Sequence, residues 1–328
     1  MSANETITVQ SEKFNGLKNE AFCKKKKKVP PYPKHLFPLH TMIYFVGPCG
    51  VGKTNAASLL AHEYMEAESF NRIFILSPTY EYNDALKKLK PDPDDVYSNK
   101  DDPVAAINAI DLKVKKMSQQ YEFLVKYKEI YNKWKNKEKL KLAEMSLLND
   151  YNFAPPPKKI PFPSPLLIID DMSHTKLYVS STKNSFPNLV LRHRHVYGIG
   201  LSIFMLVQTF KTGAQLALRQ VGNQFMLFPS KDSNQLRSMY EEVAGQVSFE
   251  DFEAIFKKAT QGSKHNFLTV DARNENKKRM FRKGFDEYLY TKASAEEDEE
   301  SLENSNKRRK LTLNNPQCTK DMPCYKGN

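Results

Sequence analysis

An α/β fold built on a doubly wound, mostly parallel sheet is predicted by two observations. Short apolar runs that read as buried strands alternate along the chain with helical stretches. One of them, Met42-Ile43-Tyr44-Phe45-Val46, leads straight into Gly47-Pro48-Cys49-Gly50-Val51-Gly52-Lys53-Thr54, a complete G-x-x-x-x-G-K-[ST] loop, and Asn55 onward reads as the opening of a helix. Strand, glycine loop and helix in that order make a phosphate-binding loop. The glycines let the backbone wrap around phosphate oxygens with its N–H groups turned inward, and the helix N-terminus adds partial positive charge. Lys53 is suited to neutralise the β- and γ-phosphates, and the Thr54 hydroxyl to ligate Mg²⁺. The predicted ligand is a nucleoside triphosphate with Mg²⁺, and the predicted fold is that of a P-loop NTPase.

The remaining elements follow in order. Residues 1–35 read as a basic, flexible arm: 1–23 are polar with no sustained period, and Lys24–Lys28 run into Pro30-Pro31-Tyr32-Pro33. The lysine run is open to three readings: a solvated arm, an import signal or a DNA-phosphate contact. The P-loop domain is expected over 36–290. Within it a second strand, Ile73–Ser77, is stopped by Pro78, and 91–103, rich in Asp and Pro, read as a loop. From about 104 to 148 the period turns helical, with Met117, Tyr121, Leu124, Tyr127, Tyr131 and Trp134 at steps of three and four. Ten lysines against four acids in 111–143 make this the most basic ordered segment, and an insert is placed at about 91–160. Such an insert is either an amphipathic helix docked on the sheet or a DNA-facing or subunit-facing surface. Pro155 to Pro165 form a stiff connection back to the core. Further strands are expected at Leu166–Ile169, Leu201–Val207, Gln224–Phe228 and Asn266–Val270, with helices at about 182–195, 212–221 and 232–258. Residues 291–328 read as a disordered tail, with the acids of 296–300 followed by the basic Lys307–Lys310 cluster.

Composition narrows the class. A chain of 328 residues with 40% hydrophobic content and 20 Phe can fill the core of one large domain with appendages. Its net charge of +12 favours a polyanionic partner such as nucleic acid. Cys23, Cys49, Cys318 and Cys324 show no CxxC spacing, which argues against a disulfide framework or a zinc site and for a reducing compartment. No run of 18 apolar residues and no apolar signal region is present, so a soluble, intracellular protein without a membrane partner is expected.

Asp170 closes an apolar strand, so its carboxylate should emerge at the carboxyl edge of the sheet and, if that strand lies beside the first, face Thr54 across the magnesium site. Asp171 would then polarise the water attacking the γ-phosphate. Gln208, at the end of the next strand, is placed to sense that phosphate or orient the water. Charge developing on the transferred phosphoryl group calls for a further cation, and Arg194 and Arg219 are the candidates. His193 and His195 read as local polar contacts.

Gly47–Thr54, the strand end Ile168-Ile169-Asp170-Asp171-Met172-Ser173, Arg194-His195 leading into Leu201–Thr209, Leu218-Arg219, and Phe267–Asp271 come in an order that resembles the DNA-packaging ATPases of the HerA–FtsK superfamily. The branch resembled is that of poxviruses, large DNA viruses, virophages and Polinton-type elements, over about 42–80 and 165–285. The resemblance implies a RecA-like core and assigns the catalytic base to Asp171, where relatives commonly carry glutamate. It implies an ATP-driven double-stranded DNA translocase that packages a viral or virus-like genome. Implied partners are duplex DNA, capsid or portal vertex proteins, and further copies of the chain in a homo-oligomeric ring, at the host nucleus or virion-assembly site. The alternatives are a nucleotide-dependent DNA-binding switch or scaffold, and a helicase or transposition-linked ATPase. The insert and both tails lie outside the shared pattern.

Overall fold

Every residue of the runs 42–46, 165–170 and 202–207 is buried, and their apolar side chains alternate between two separate cores, as period-two strands covered on both faces must. The computed structural model describes residues 9–13, 29–98, 101–172, 175–178, 184–210, 216–230, 233–274 and 276–291. The lysine run, the acidic and basic clusters of the tail, and Cys23, Cys318 and Cys324 lie outside the described residues.

Among those residues ten strands form one sheet: β1 (Val9–Lys13), β2 (Met42–Val46), β3 (Arg72–Leu76), β4 (Val96–Tyr97), β5 (Pro165–Asp170), β6 (Ser202–Val207), β7 (Gln224–Leu227), β8 (Leu268–Asp271), β9 (Phe281–Lys283) and β10 (Glu287–Thr291). Their order is β1-β10-β9-β8-β7-β2-β6-β5-β3-β4. From β7 to β4 all neighbours are parallel. From β1 to β7 they are antiparallel.

Helices cover both faces. On one, α1 (Lys53–Glu66) buries Ala57, Leu60, Ala61 and Tyr64 over Ile43, Phe45, Phe204 and Leu206. On the other lie the first half of α3 (Pro103–Lys135), α5 (Phe186–Leu191), α6 (Leu216–Arg219), α7 (Ser233–Val243) and α8 (Phe249–Thr260). The short α2 (Asp84–Lys87) adds Leu86 to the α1 side. No helix among the described residues is long and apolar enough to cross a membrane.

Several elements differ from expectation. The stretch expected as one helix over 232–258 breaks into α7 and α8, with Ser248 capping the second by accepting from the Asp251 amide at 3.1 Å. A pair of helices returns the chain to the edge it left, so β8 runs antiparallel to β7 instead of continuing the parallel series. Val9–Lys13, expected in the irregular arm, pairs with β10 along its full length. The helical insert is likewise two helices, α3 and α4 (Leu142–Asp150). Asp102 and Pro103 start α3, and its far half packs on α4 through Tyr127, Ile130 and Leu148. The expected aromatic stripe is therefore divided: Met117, and Phe162 which Tyr121 meets, pack on the sheet core where the first half of α3 docks, whereas Tyr127 and Tyr131 join the small core with α4 and Trp134 meets Phe153. Arg72 and Lys113 pin that docking, both bonding to the buried Asp95 at 2.5 and 2.9 Å.

Candidate functional site

The loop 47–54 is held at the carboxyl edge of β2 by its neighbours. The Gly47 amide donates to Val207 O at 3.2 Å, and the Phe228 amide donates to Val46 O at 2.9 Å. A side chain at Gly47 would lie 2.6 Å from Phe228 Cβ, so the loop passes too close to β7 for any Cβ. Gly50 and Gly52 take φ of 77° and 98°, the left-handed turns that let consecutive amides face one concavity. Pro48, Cys49 and Gly50 are exposed at the rim, whereas Val51 is buried.

Lys53 opens α1, and its Nζ donates to Gly47 O at 2.8 Å and Pro48 O at 3.0 Å, folding the ammonium back over the loop. Burial lowers its pKa, and the charges of Asp170, Cys49 and Asp171 partly oppose that. Thr54 Oγ1 donates to Asp170 Oδ2 at 3.1 Å. This contact forms although β5 is not beside β2, the condition under which it was expected. Strand β6 lies between them, and Thr54, carried in the first turn of α1, still reaches Asp170 at the end of β5. Asp170 is 5% exposed, and its pKa is pushed up to about 6. Burial is the main cause, and the Thr54 hydroxyl and Lys53 pull it back.

Among the described residues no group of three or more His, Cys, Asp or Glu side chains is disposed to hold a metal ion. A hydroxyl and a buried carboxylate do, however, offer the hard oxygen donors Mg²⁺ takes, with water and nucleotide phosphates completing its shell. A cation there would also hold Asp170 in the charged form that burial disfavours.

Asp171 follows at φ 54°, exposed, and its Oδ1 accepts from Gln208 Nε2 at 2.8 Å. Gln208 leaves the end of β6, the strand between the phosphate loop and Asp170, so both polar side chains stand at the same edge as Lys53 and Thr54.

The arginines are not brought to this edge. The Leu201 amide bonds to His193 O at 2.7 Å, which places Arg194 at the amino end of β6, opposite the phosphate loop, with its side chain exposed. Arg219 is 8% exposed on the sheet face. Its Nε and Nη2 donate to Glu242 at 2.7 and 2.9 Å, and its guanidinium lies 5.4 Å from the Phe210 centroid. Its guanidinium is thus held by α7 of its own chain and turned away from the phosphate loop, although Arg219, like Arg194, precedes a parallel strand at its amino end. His193 is a local contact: Nδ1 donates to Val190 O at 2.6 Å, and burial lowers its pKa.

One residue at the site carries no sequence signal. His265, just before β8, reaches the phosphate loop with Nδ1 3.1 Å from Val51 O. Only the folding of β8 against β7 brings it there.

No known protein family and no curated protein matches this sequence. Among solved structures, the genome packaging NTPase B204 from Sulfolobus turreted icosahedral virus 2, in complex with ATP-gammaS, is 14% identical over 72% of this chain and 94% of that chain, with a TM-score of 0.40. EssC (ATPases 2 and 3) from Geobacillus thermodenitrificans is 16% identical over 83% of this chain and 43% of that one, with a TM-score of 0.43. The cytoplasmic domain of the Thermomonospora curvata type VII secretion ATPase EccC is 11% identical over 76% of this chain and 25% of that one, with a TM-score of 0.38. At these identities and scores no residue role passes from those proteins to this one.

Proposed function

We propose that this protein is an ATP-hydrolysing motor that drives double-stranded DNA, as a viral or virus-like genome, into a capsid. The observation that carries the reading is the convergence, at one sheet edge, of the phosphate loop, the Thr54–Asp170 pair and the Asp171–Gln208 pair. A phosphate cradle alone binds nucleotide; a cation site and a carboxylate beside it make hydrolysis chemically available. The roles follow from position. Lys53 and the loop amides hold the β- and γ-phosphates, Thr54 and Asp170 hold Mg²⁺, and Mg²⁺ when bound neutralises charge on the phosphates. Asp171 accepts a proton from the attacking water, and Gln208 holds Asp171 in register until a γ-phosphate draws its amide away.

The DNA half of the reading rests on charge. The chain carries +12, and Lys115, Lys116, Lys126 and Lys135 are exposed along α3, a surface the nucleotide site does not need. Lysines on phosphates release condensed counterions, so binding to duplex should ignore sequence and weaken steeply with salt. Packaging, capsid partners and a ring extend the resemblance given above. The working unit is residues 36–290 with β1 added to its sheet.

The test is ATP turnover with Mg²⁺, with and without double-stranded DNA. DNA-stimulated hydrolysis is expected. Absence of turnover under both conditions, in a folded chain that binds ATP, would overturn the motor and leave a nucleotide-dependent switch.

A further inference from the structure

His265 grips the phosphate loop at its centre. A carbonyl oxygen can only accept, so the 3.1 Å contact between His265 Nδ1 and Val51 O requires that Nδ1 carry the proton and donate. This has a consequence one bond away. In a planar trans peptide the C=O and the following N–H point in opposite directions. With the Val51 carbonyl drawn toward His265, the Gly52 N–H is turned away from the ring, toward the concave side of the loop where a phosphate oxygen would be bound. Gly52 makes the approach possible. At φ 98° it has a conformation L side chains rarely adopt, and an added Cβ would lie 3.1 Å from His265 Nδ1.

The segment carrying His265 is itself anchored. The His265 amide donates to Ser263 Oγ at 3.2 Å, and Asn266 Nδ2 donates to Gln261 O at 2.7 Å. Phe267 packs on Phe228 and Phe285 at ring distances of 4.8 and 5.1 Å. Phe228 is the residue against which Gly47 closes. One patch therefore touches the loop at two points: Phe228 at Gly47, and His265 at Val51 and Gly52.

We propose that His265 is a positioning residue for the triphosphate. Its Nδ1–H fixes the Val51–Gly52 peptide so that the loop amides are preorganised before the ligand arrives, which removes part of the ordering cost of binding. It acts on the phosphate cradle and not on the base. The proposal rests on reading Gly47–Thr54 as a nucleotide site.

The experiment measures binding of Mg·ATP and of inorganic triphosphate by calorimetry, with steady-state kinetics and thermal melting, for the full chain and for His265→Ala, His265→Asn and His265→Gln. The alanine variant should bind both ligands about threefold to tenfold more weakly, the value of one net hydrogen bond, and the loss should fall on KM and not on kcat. Asparagine, whose amide nitrogen lies close to the place of Nδ1, should recover the affinity, and glutamine should not. Unchanged affinity in His265→Ala, a loss confined to ATP, or no recovery by asparagine would each overturn the proposal. If the alanine variant does not fold, the asparagine and glutamine variants decide it by the same criterion. A wild-type chain that binds neither ligand refutes the nucleotide site itself, an outcome distinct from wild-type binding with indifferent variants.

Discussion

Replacing Asp171 separates catalytic strain from structural need. At φ 54° the residue sits in the left-handed region, which costs an L-residue about 1–2 kcal/mol and Asp toward the lower end of that range. Glycine would relieve about 1 kcal/mol of this, but it gives back about 0.5–1 kcal/mol in backbone entropy and about 0.5–1 kcal/mol for the lost bond from Gln208. The terms offset. Asp171→Gly is expected within about 1 kcal/mol of the parent, a shift of about 2–4 °C in Tm for a chain of this size. Asparagine tolerates the same backbone and keeps an acceptor for the Gln208 amide 2.8 Å away. Neither substitute can take a proton from water. If the carboxylate is the base, both variants bind Mg·ATP yet lose hydrolysis by about 10²–10⁴-fold, or about 3–5 kcal/mol of barrier. Phosphate release at saturating ATP, run beside thermal melts, reads both quantities. Wild-type turnover in either variant would remove Asp171 from the mechanism. A loss of more than about 3 kcal/mol of stability in Asp171→Gly would show that its carboxylate is structural.

Other consequences can be checked as directly. Lys53→Ala should abolish tight Mg·ATP binding while leaving the melt close to wild type, because in the free protein the ammonium bonds to two loop carbonyls at the rim of the site and to no side chain; calorimetry decides. Burial alone would raise the pKa of Asp95, but hydrogen bonds from Arg72 and Lys113 outweigh it and hold the carboxyl below its usual value. A depressed folded pKa stabilises above the unfolded value, near 4, and the stabilisation is lost as pH falls through the folded one. Asp95→Asn should therefore cost about 1.5–3 kcal/mol at pH 7, with the deficit shrinking below about pH 4 in urea titrations. A deficit that does not change with pH would refute the ionic account. For a shared site, mixing Arg194→Ala with Lys53→Ala chains should recover part of the ATPase activity if Arg194 acts across an interface; proven co-assembly without recovery excludes it.

How much was legible in the sequence differs between the two kinds of feature. Gly47–Thr54, the strands on either side of the site and the emergence of Asp170, Asp171 and Gln208 at strand ends are local. Each follows from the glycine spacing or from an apolar run that must be covered on both faces, and neighbours only a few positions away suffice to specify it. The break between α7 and α8 is marked locally by Gly245 and by the cap Ser248, but the apolar period resumes after it, so periodicity alone runs through the interruption. That one break reversed β8 and set up the antiparallel half of the sheet, including β1, whose pairing partners lie at the other end of the chain. The insertion of β6 between β2 and β5, the burial of Arg219 against Glu242, the removal of Arg194 to the far edge and the approach of His265 to Val51 are all contacts between distant segments. Sequence by itself determined which residue types are present to bind a triphosphate and which strands deliver them. Tertiary structure alone decided which of them meet, because strand order and helix packing depend on how the whole apolar surface is shared out and no local pattern encodes that division.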